Sequence, residues 1–192
     1  LGHSWGGHVA TNLAARFPLQ VSRLVLIDGG FQNGHLLPDA TEATFRTRFG
    51  PRDVSGNRKD FLERLRVQLA ECWDEDLERI VQTMVYEDDE GMIQDILRPE
   101  NHAQVIRAMW DEPSSDTLPR IKCPTLIVPA GPAPDRADSE FAVMRRTMVE
   151  AAAEALENGR VRWIPETMHD IGYHKPVELA QVVGEFLEER QP

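Results

Sequence analysis

The feature that most constrains this chain is the run Leu1-Gly2-His3-Ser4-Trp5-Gly6-Gly7. It holds Gly2-x-Ser4-x-Gly6 directly ahead of an amphipathic stretch. That is the pattern of a nucleophile elbow, in which a serine sits on a sharp turn between a strand and a helix. Small residues on both sides let the chain pass close to itself, and the turn strains the backbone at Ser4. The arrangement frees the serine hydroxyl and aims the next backbone N–H, that of Trp5, at a developing oxyanion. Only Leu1 precedes the pattern, whereas an elbow follows a strand inside a domain. The sequence therefore reads as a chain whose front half is missing.

The residues after the elbow alternate between helical and extended patterns. Val9, Leu13 and Phe17, with Ala10 and Ala14, predict a helix over 6–16 that Pro18 stops. Val21 to Ile27 ends in Leu-Val-Leu-Ile, a short apolar run expected of a strand covered on both faces, broken by Asp28-Gly29-Gly30. Residues 31–118 show no convincing strand. Leu62, Leu65, Leu69 and Cys72 form one helical stripe, Leu77, Ile80, Val81 and Met84 another, and Ile106, Met109 and Trp110 a third. Pro99-Glu100 opens the helix that carries this last stripe.

Beyond residue 118 the strands return. Cys123 to Pro129 reads as a buried strand, followed by the turn-rich Ala130-Gly-Pro-Ala-Pro-Asp135. A helix is expected over 139–157, a strand over 161–164, a loop with two histidines over 165–175, and a last helix from Pro176. Strands alternating with helices predict an α/β fold, a parallel sheet with helices on both faces.

The composition excludes several partners. The net charge is −11, and residues 31–118 carry 19 acidic against 10 basic side chains. Nucleic acid is excluded as a partner, since it needs a basic footprint. No stretch approaches the roughly 20 apolar residues of a membrane helix. Cys72 and Cys123 match no metal or redox spacing, and no pair of histidines is spaced for a metal. Neither a metal nor an organic cofactor is expected. A small-molecule substrate and a cytoplasmic location are.

Elbow, strand, helical insertion, Asp loop and His loop, in that order, resemble the C-terminal two-thirds of an α/β-hydrolase fold serine hydrolase. The resemblance implies a partial α/β-hydrolase core at 1–30 and 119–192, with a helical cap at 31–118. It also implies a Ser-acid-His catalytic triad in that chain order, for a serine hydroxyl needs a base and the base needs a third group to hold its tautomer. Ser4 is then the nucleophile, Asp135 the acid, His169 the base, and Trp5 N–H an oxyanion donor. His3 lines the substrate pocket.

Rivals remain at two positions. Asp28, at the end of the earlier strand, and Asp138 can each replace Asp135 as the acid. His174 is the alternative base, read as a surface or capping residue. The acidic cap disfavours anionic substrates, although Asp74-Glu-Asp and Glu87-Asp-Asp-Glu also suit solvated helix ends. The expected reaction is hydrolysis of a small neutral ester, lactone, amide or related acyl compound. A proline iminopeptidase-like aminopeptidase and a non-catalytic ligand receptor of the same fold are the alternatives. The family's second oxyanion donor comes from a loop that would precede residue 1, so residues 1–192 alone are expected to be nearly inactive.

Overall fold

Two four-residue buried strands set the centre of the structure, a computed structural model that describes residues 1–51 and 54–189. Strand β1 is Gly2–His3, helix α1 Trp5–Arg16 and strand β2 Leu24–Ile27. Helices α2 (Glu42–Arg48), α3 (Arg58–Gln68) and α4 (Glu75–Gln82) follow, then strands β3 (Val85–Glu87) and β4 (Ile93–Asp95). Helices α5 (Pro99–Asp111) and α6 (Ser114–Thr117) lead into β5 (Thr125–Val128), α7 (Glu140–Ala155) and β6 (Gly159–Val161). The chain ends in α8 (Ile171–His174) and α9 (Pro176–Glu188).

Strands β1, β2, β5 and β6 form one parallel sheet in that spatial order. Every residue of β2 and β5 is buried, as apolar strands covered on both faces must be. Side chains alternate across a strand. Val25, Ile27, Leu126 and Val128 share one face and pack with Ile171 of α8 and Phe186 of α9. Leu24, Leu26 and Ile127 point the other way, while α1 packs on β2 and α7 on β6. Leu26 and Ile127 are fully buried, each contributing about 1.5–3 kcal/mol over an exposed side chain.

Contacts divide the chain into two units. One comprises Leu1–Phe45 with the segment from Ala108 on, and the other Arg46–Arg107. These boundaries fall inside the 31–118 span read from sequence. Phe31, Leu37 and Phe45 belong to the core of the first unit. The Ser114 hydroxyl donates to the Phe31 carbonyl (3.2 Å), and the Phe45 ring lies 5.8 Å from that of Trp110.

The second unit has its own small core of Phe61, Val85 and Ile93, with Leu62 and Leu65 against it. It contains a feature not expected from sequence, the antiparallel hairpin of β3 and β4. Glu87-Asp-Asp-Glu therefore lies at a hairpin turn and not at a helix end. The Asp88 carboxylate accepts from the N–H groups of Glu90 (3.0 Å) and Met92 (2.9 Å) and fixes the turn. Asp74 does cap a helix: its Oδ1 accepts from Leu77 N–H at 2.7 Å at the start of α4. No described helix is long and apolar enough to cross a membrane.

Candidate active site

Ser4 joins β1 to α1 with φ 53° and ψ −126°, a backbone state that a non-glycine residue adopts at a cost of about 1–3 kcal/mol. Hydrogen bonds hold both sides of the turn. Ser4 N–H donates to the Ile27 carbonyl (3.0 Å), and Gly7 N–H donates to the Ser4 carbonyl (2.9 Å). Close backbone approach accounts for Gly2, Gly7 and Gly29. A Cβ on Gly2 would stand 2.1 Å from the Gly6 carbonyl oxygen, and one on Gly29 would stand 2.1 Å from that of Ser4. Gly6 itself has open space around its Cα. A third close approach is made by Gly7, whose Cβ would meet the Gly29 backbone at 2.6 Å.

The neighbouring strand ends in a second strained residue. Asp28 has φ 40°, and its N–H donates to the Val128 carbonyl (2.9 Å). Its carboxylate is 1% exposed. Ala130 N–H donates to Oδ1 at 2.9 Å, and Arg145 Nη1 reaches both Oδ1 (2.7 Å) and Oδ2 (2.9 Å).

His169 arrives from the loop after β6. Ala130 pairs with Ile164 as a parallel bridge, Gly131 N–H donates to the Ile164 carbonyl (2.8 Å), and Thr167 N–H donates to the Gly131 carbonyl (3.0 Å). Pinned there, the imidazole spans Ser4 and Asp28. Nδ1 donates to Asp28 Oδ2 at 2.7 Å, and the Ser4 hydroxyl donates to Nε2 at 2.8 Å. The ionised carboxylate can only accept, so it holds the ring proton on Nδ1 and leaves Nε2 as the acceptor. The His169 side chain is 45% exposed. Desolvation pulls its pKa down, but the hydrogen bond and charge of Asp28, joined by the charge of Asp170, outweigh that and the opposing Arg145 charge. The net direction is above the ordinary value of 6.5.

The remaining expected residues lie as follows. Trp5 is the first residue of α1, so its N–H is one of the first-turn donors that no helical carbonyl satisfies. Its indole stacks on the His8 ring at 4.9 Å. His3 Nε2 donates to the His169 carbonyl (2.9 Å), and His3 lines a hollow with Ile27, Asp170, Tyr173 and Leu179. Thr167 Oγ1 and His174 Nδ1 are hydrogen-bonded at 2.9 Å.

The expected pairing of Asp135 with His169 is corrected, because Asp28 takes that place. Asp135 sits on the exposed 3₁₀ turn Pro134–Arg136, and Asp138 is exposed as well. Ser139, not Asp138, caps α7, its hydroxyl accepting from Ala142 N–H (3.2 Å). Arg145 is one of two adjacent arginines on α7, and no motif marks it in the sequence. Among the described residues no cluster of three or more His, Cys, Asp or Glu is placed to hold a metal ion.

Comparisons with known proteins agree with this architecture. A model of the alpha/beta hydrolase family matches residues 1–182. Among solved structures, the chain resembles E-2-(acetamidomethylene)succinate hydrolase with a TM-score of 0.69 and 18% identity, over 98% of this chain and 65% of that one. It resembles an esterase of M. tuberculosis with a TM-score of 0.62 and 22% identity, over 98% of this chain and 61% of that one. It also resembles a probable hydrolytic enzyme of Pseudomonas aeruginosa PAO1, with a TM-score of 0.60 and 21% identity, over 98% and 62% of the two chains. The chain thus spans less than two-thirds of the length of each. At these identities the likeness is one of fold. No curated protein matches the sequence. With the family model covering almost the whole sequence and a parallel sheet flanked by helices, the chain belongs to the alpha/beta hydrolase family.

Proposed function

We propose that this chain carries the catalytic triad of a serine hydrolase, with Ser4 as nucleophile, His169 as general base and Asp28 as the acid that orients His169. The observation that carries the reading is the unbroken chain of hydrogen bonds from Ser4 Oγ to His169 Nε2 (2.8 Å) and from His169 Nδ1 to Asp28 Oδ2 (2.7 Å). Ser4 Oγ attacks a substrate carbonyl carbon while its proton passes to His169 Nε2. The imidazolium so formed faces the Asp28 carboxylate. Trp5 N–H donates to the oxyanion, where one preorganised donor contributes about 10²–10³ in rate. His169 then gives its proton to the leaving group. Water, activated by the same base, cleaves the acyl-enzyme and restores Ser4.

The proposed substrates are small neutral esters, lactones, amides or related acyl compounds, with no cofactor. The acidic balance of residues 31–118 disfavours anionic ones. A fluorophosphonate probe offered to the full-length protein is expected to label Ser4 and no other residue. Labelling elsewhere, or turnover of p-nitrophenyl acetate that survives Ser4→Ala, would overturn the reading.

A further inference from the structure

Asp28 is held by more than a triad acid requires. Its carboxylate is 1% exposed and receives hydrogen bonds from three groups on three parts of the chain. Oδ1 takes Ala130 N–H (2.9 Å) and Arg145 Nη1 (2.7 Å). Oδ2 takes His169 Nδ1 (2.7 Å), with the same Arg145 nitrogen at 2.9 Å. Arg145 is itself constrained. Its side chain is 15% exposed, its Nη1 also reaches the Ala130 carbonyl (3.3 Å), and its guanidinium lies 4.8 Å from the centre of the Phe141 ring, one turn earlier on α7.

We infer that Arg145 is a positioning residue, which acts through Asp28 to hold the carboxylate in the plane that presents Oδ2 to His169. The role rests on the proposed triad. The terminal torsion of an aspartate is broad and two-fold, and Ala130 N–H holds only one oxygen. One guanidinium nitrogen spans both oxygens, and together with Ala130 N–H on Oδ1 it leaves Oδ2 turned to the imidazole. Its charge also cancels that of a carboxylate removed from water, where an unpaired ion is costly. His169 therefore works beside a neutralised pair. The groups facing its ring are Asp28, Arg145, the adjacent Asp170 and His3, whose ring centre is 4.8 Å away. Of these, Arg145 opposes protonation of His169.

The test compares Arg145→Gln and Arg145→Lys with Ser4→Ala and Asp28→Asn in the full-length protein. It follows turnover of p-nitrophenyl acetate against pH and checks folding by thermal midpoint. Arg145→Gln is expected to lower kcat by about 10–100-fold, the usual cost of losing an outer partner, with KM unchanged. Its acid limb is expected to move to higher pH, because the opposing charge is gone. Arg145→Lys keeps the charge but replaces the planar guanidinium, held at the Ala130 carbonyl and over the Phe141 ring, with a flexible ammonium. Its acid limb should stay at the native position, with a smaller loss of kcat. Inactive Ser4→Ala and Asp28→Asn beside a folded Arg145→Gln of native kcat would overturn the role of Arg145 alone. So would an acid limb unmoved in Arg145→Gln with kcat losses that only follow the thermal midpoint. Full turnover in Ser4→Ala or Asp28→Asn would overturn the triad, and the positioning role with it.

Discussion

Asp28 Oδ2 and His169 Nδ1 meet at 2.7 Å across 141 positions of sequence. The contact exists because β2 and β5 are parallel neighbours whose ends lie side by side, with Asp28 N–H on the Val128 carbonyl. The loop after β6 then needs only to cross one strand to bring His169 over Asp28.

Asp28→Asn is accordingly expected to lower turnover by about 10⁴-fold, the scale at which loss of the acid leaves the histidine in the wrong tautomer. Asp135→Asn, on an exposed turn, is expected to stay close to native. Steady-state kinetics on one activated ester decides between them. The opposite ranking would return the acid to Asp135.

The two central strands were readable because their signal is local, whereas the strand expected over 161–164 lies at Gly159–Val161, with Ile164 making only an isolated bridge to Ala130. Leu24–Ile27 and Leu126-Ile127-Val128 are unbroken apolar runs, and the Ser4 turn announces itself through its glycines. The choice of acid was not local. Asp28 follows its strand directly and Asp135 follows its strand through a turn, and only the path of the 165–170 loop distinguishes them. The hairpin of Val85–Glu87 and Ile93–Asp95 is hidden in the sequence for another reason. Each strand is three residues long with one buried side chain, too short for a period of two to stand out. Arg145 gave no signal at all, since an arginine on a helix is ordinarily solvated.

The glycines around Ser4 should divide sharply on substitution. A Cβ at Gly29 would fall 2.1 Å from the Ser4 carbonyl oxygen, and backbone cannot yield as a flexible side chain can. Gly29→Ala is expected to displace Ser4. A misplacement of about 1 Å costs on the order of 10²-fold in turnover. Gly6→Ala meets nothing within 4 Å and should raise stability by about 0.5–1 kcal/mol, the difference between alanine and glycine in a helix. Chemical denaturation of both variants, with turnover of Gly29→Ala, checks the pair.

The raised pKa of His169 sets the acid limb of the rate. The base works neutral, so turnover is expected to rise with pH through a value above 6.5. Asp28→Asn removes two of the effects that raise it, so whatever turnover remains should show a limb at lower pH. The same shift has a stability consequence. A histidine raised in the folded state contributes stability that is full below 6.5 and fades as pH climbs through the raised value. A limb at or below 6.5 in the native protein would mean that desolvation dominates over Asp28.

His8 should act with the opposite sign. It is 4% exposed on α1, beneath Trp5, and Asn12 Nδ2 donates to its Nε2 at 3.3 Å. Burial drives its pKa below 6.5, and the charge of Glu112 offsets this only in part. The unfolded chain therefore takes up a proton that the folded chain resists. Stability from the neutral ring is present above 6.5 and lost as pH falls toward the lowered value. His8→Gln cannot titrate, and its thermal midpoint should fall less than that of the native protein between about pH 7 and pH 5, where histidine changes charge. Glutamine in a packed site lowers the midpoint at every pH, so the slope and not the absolute value is the observable. Parallel slopes in the two proteins would show that the fold accepts His8 protonated, and that its burial does not govern the acid sensitivity of α1.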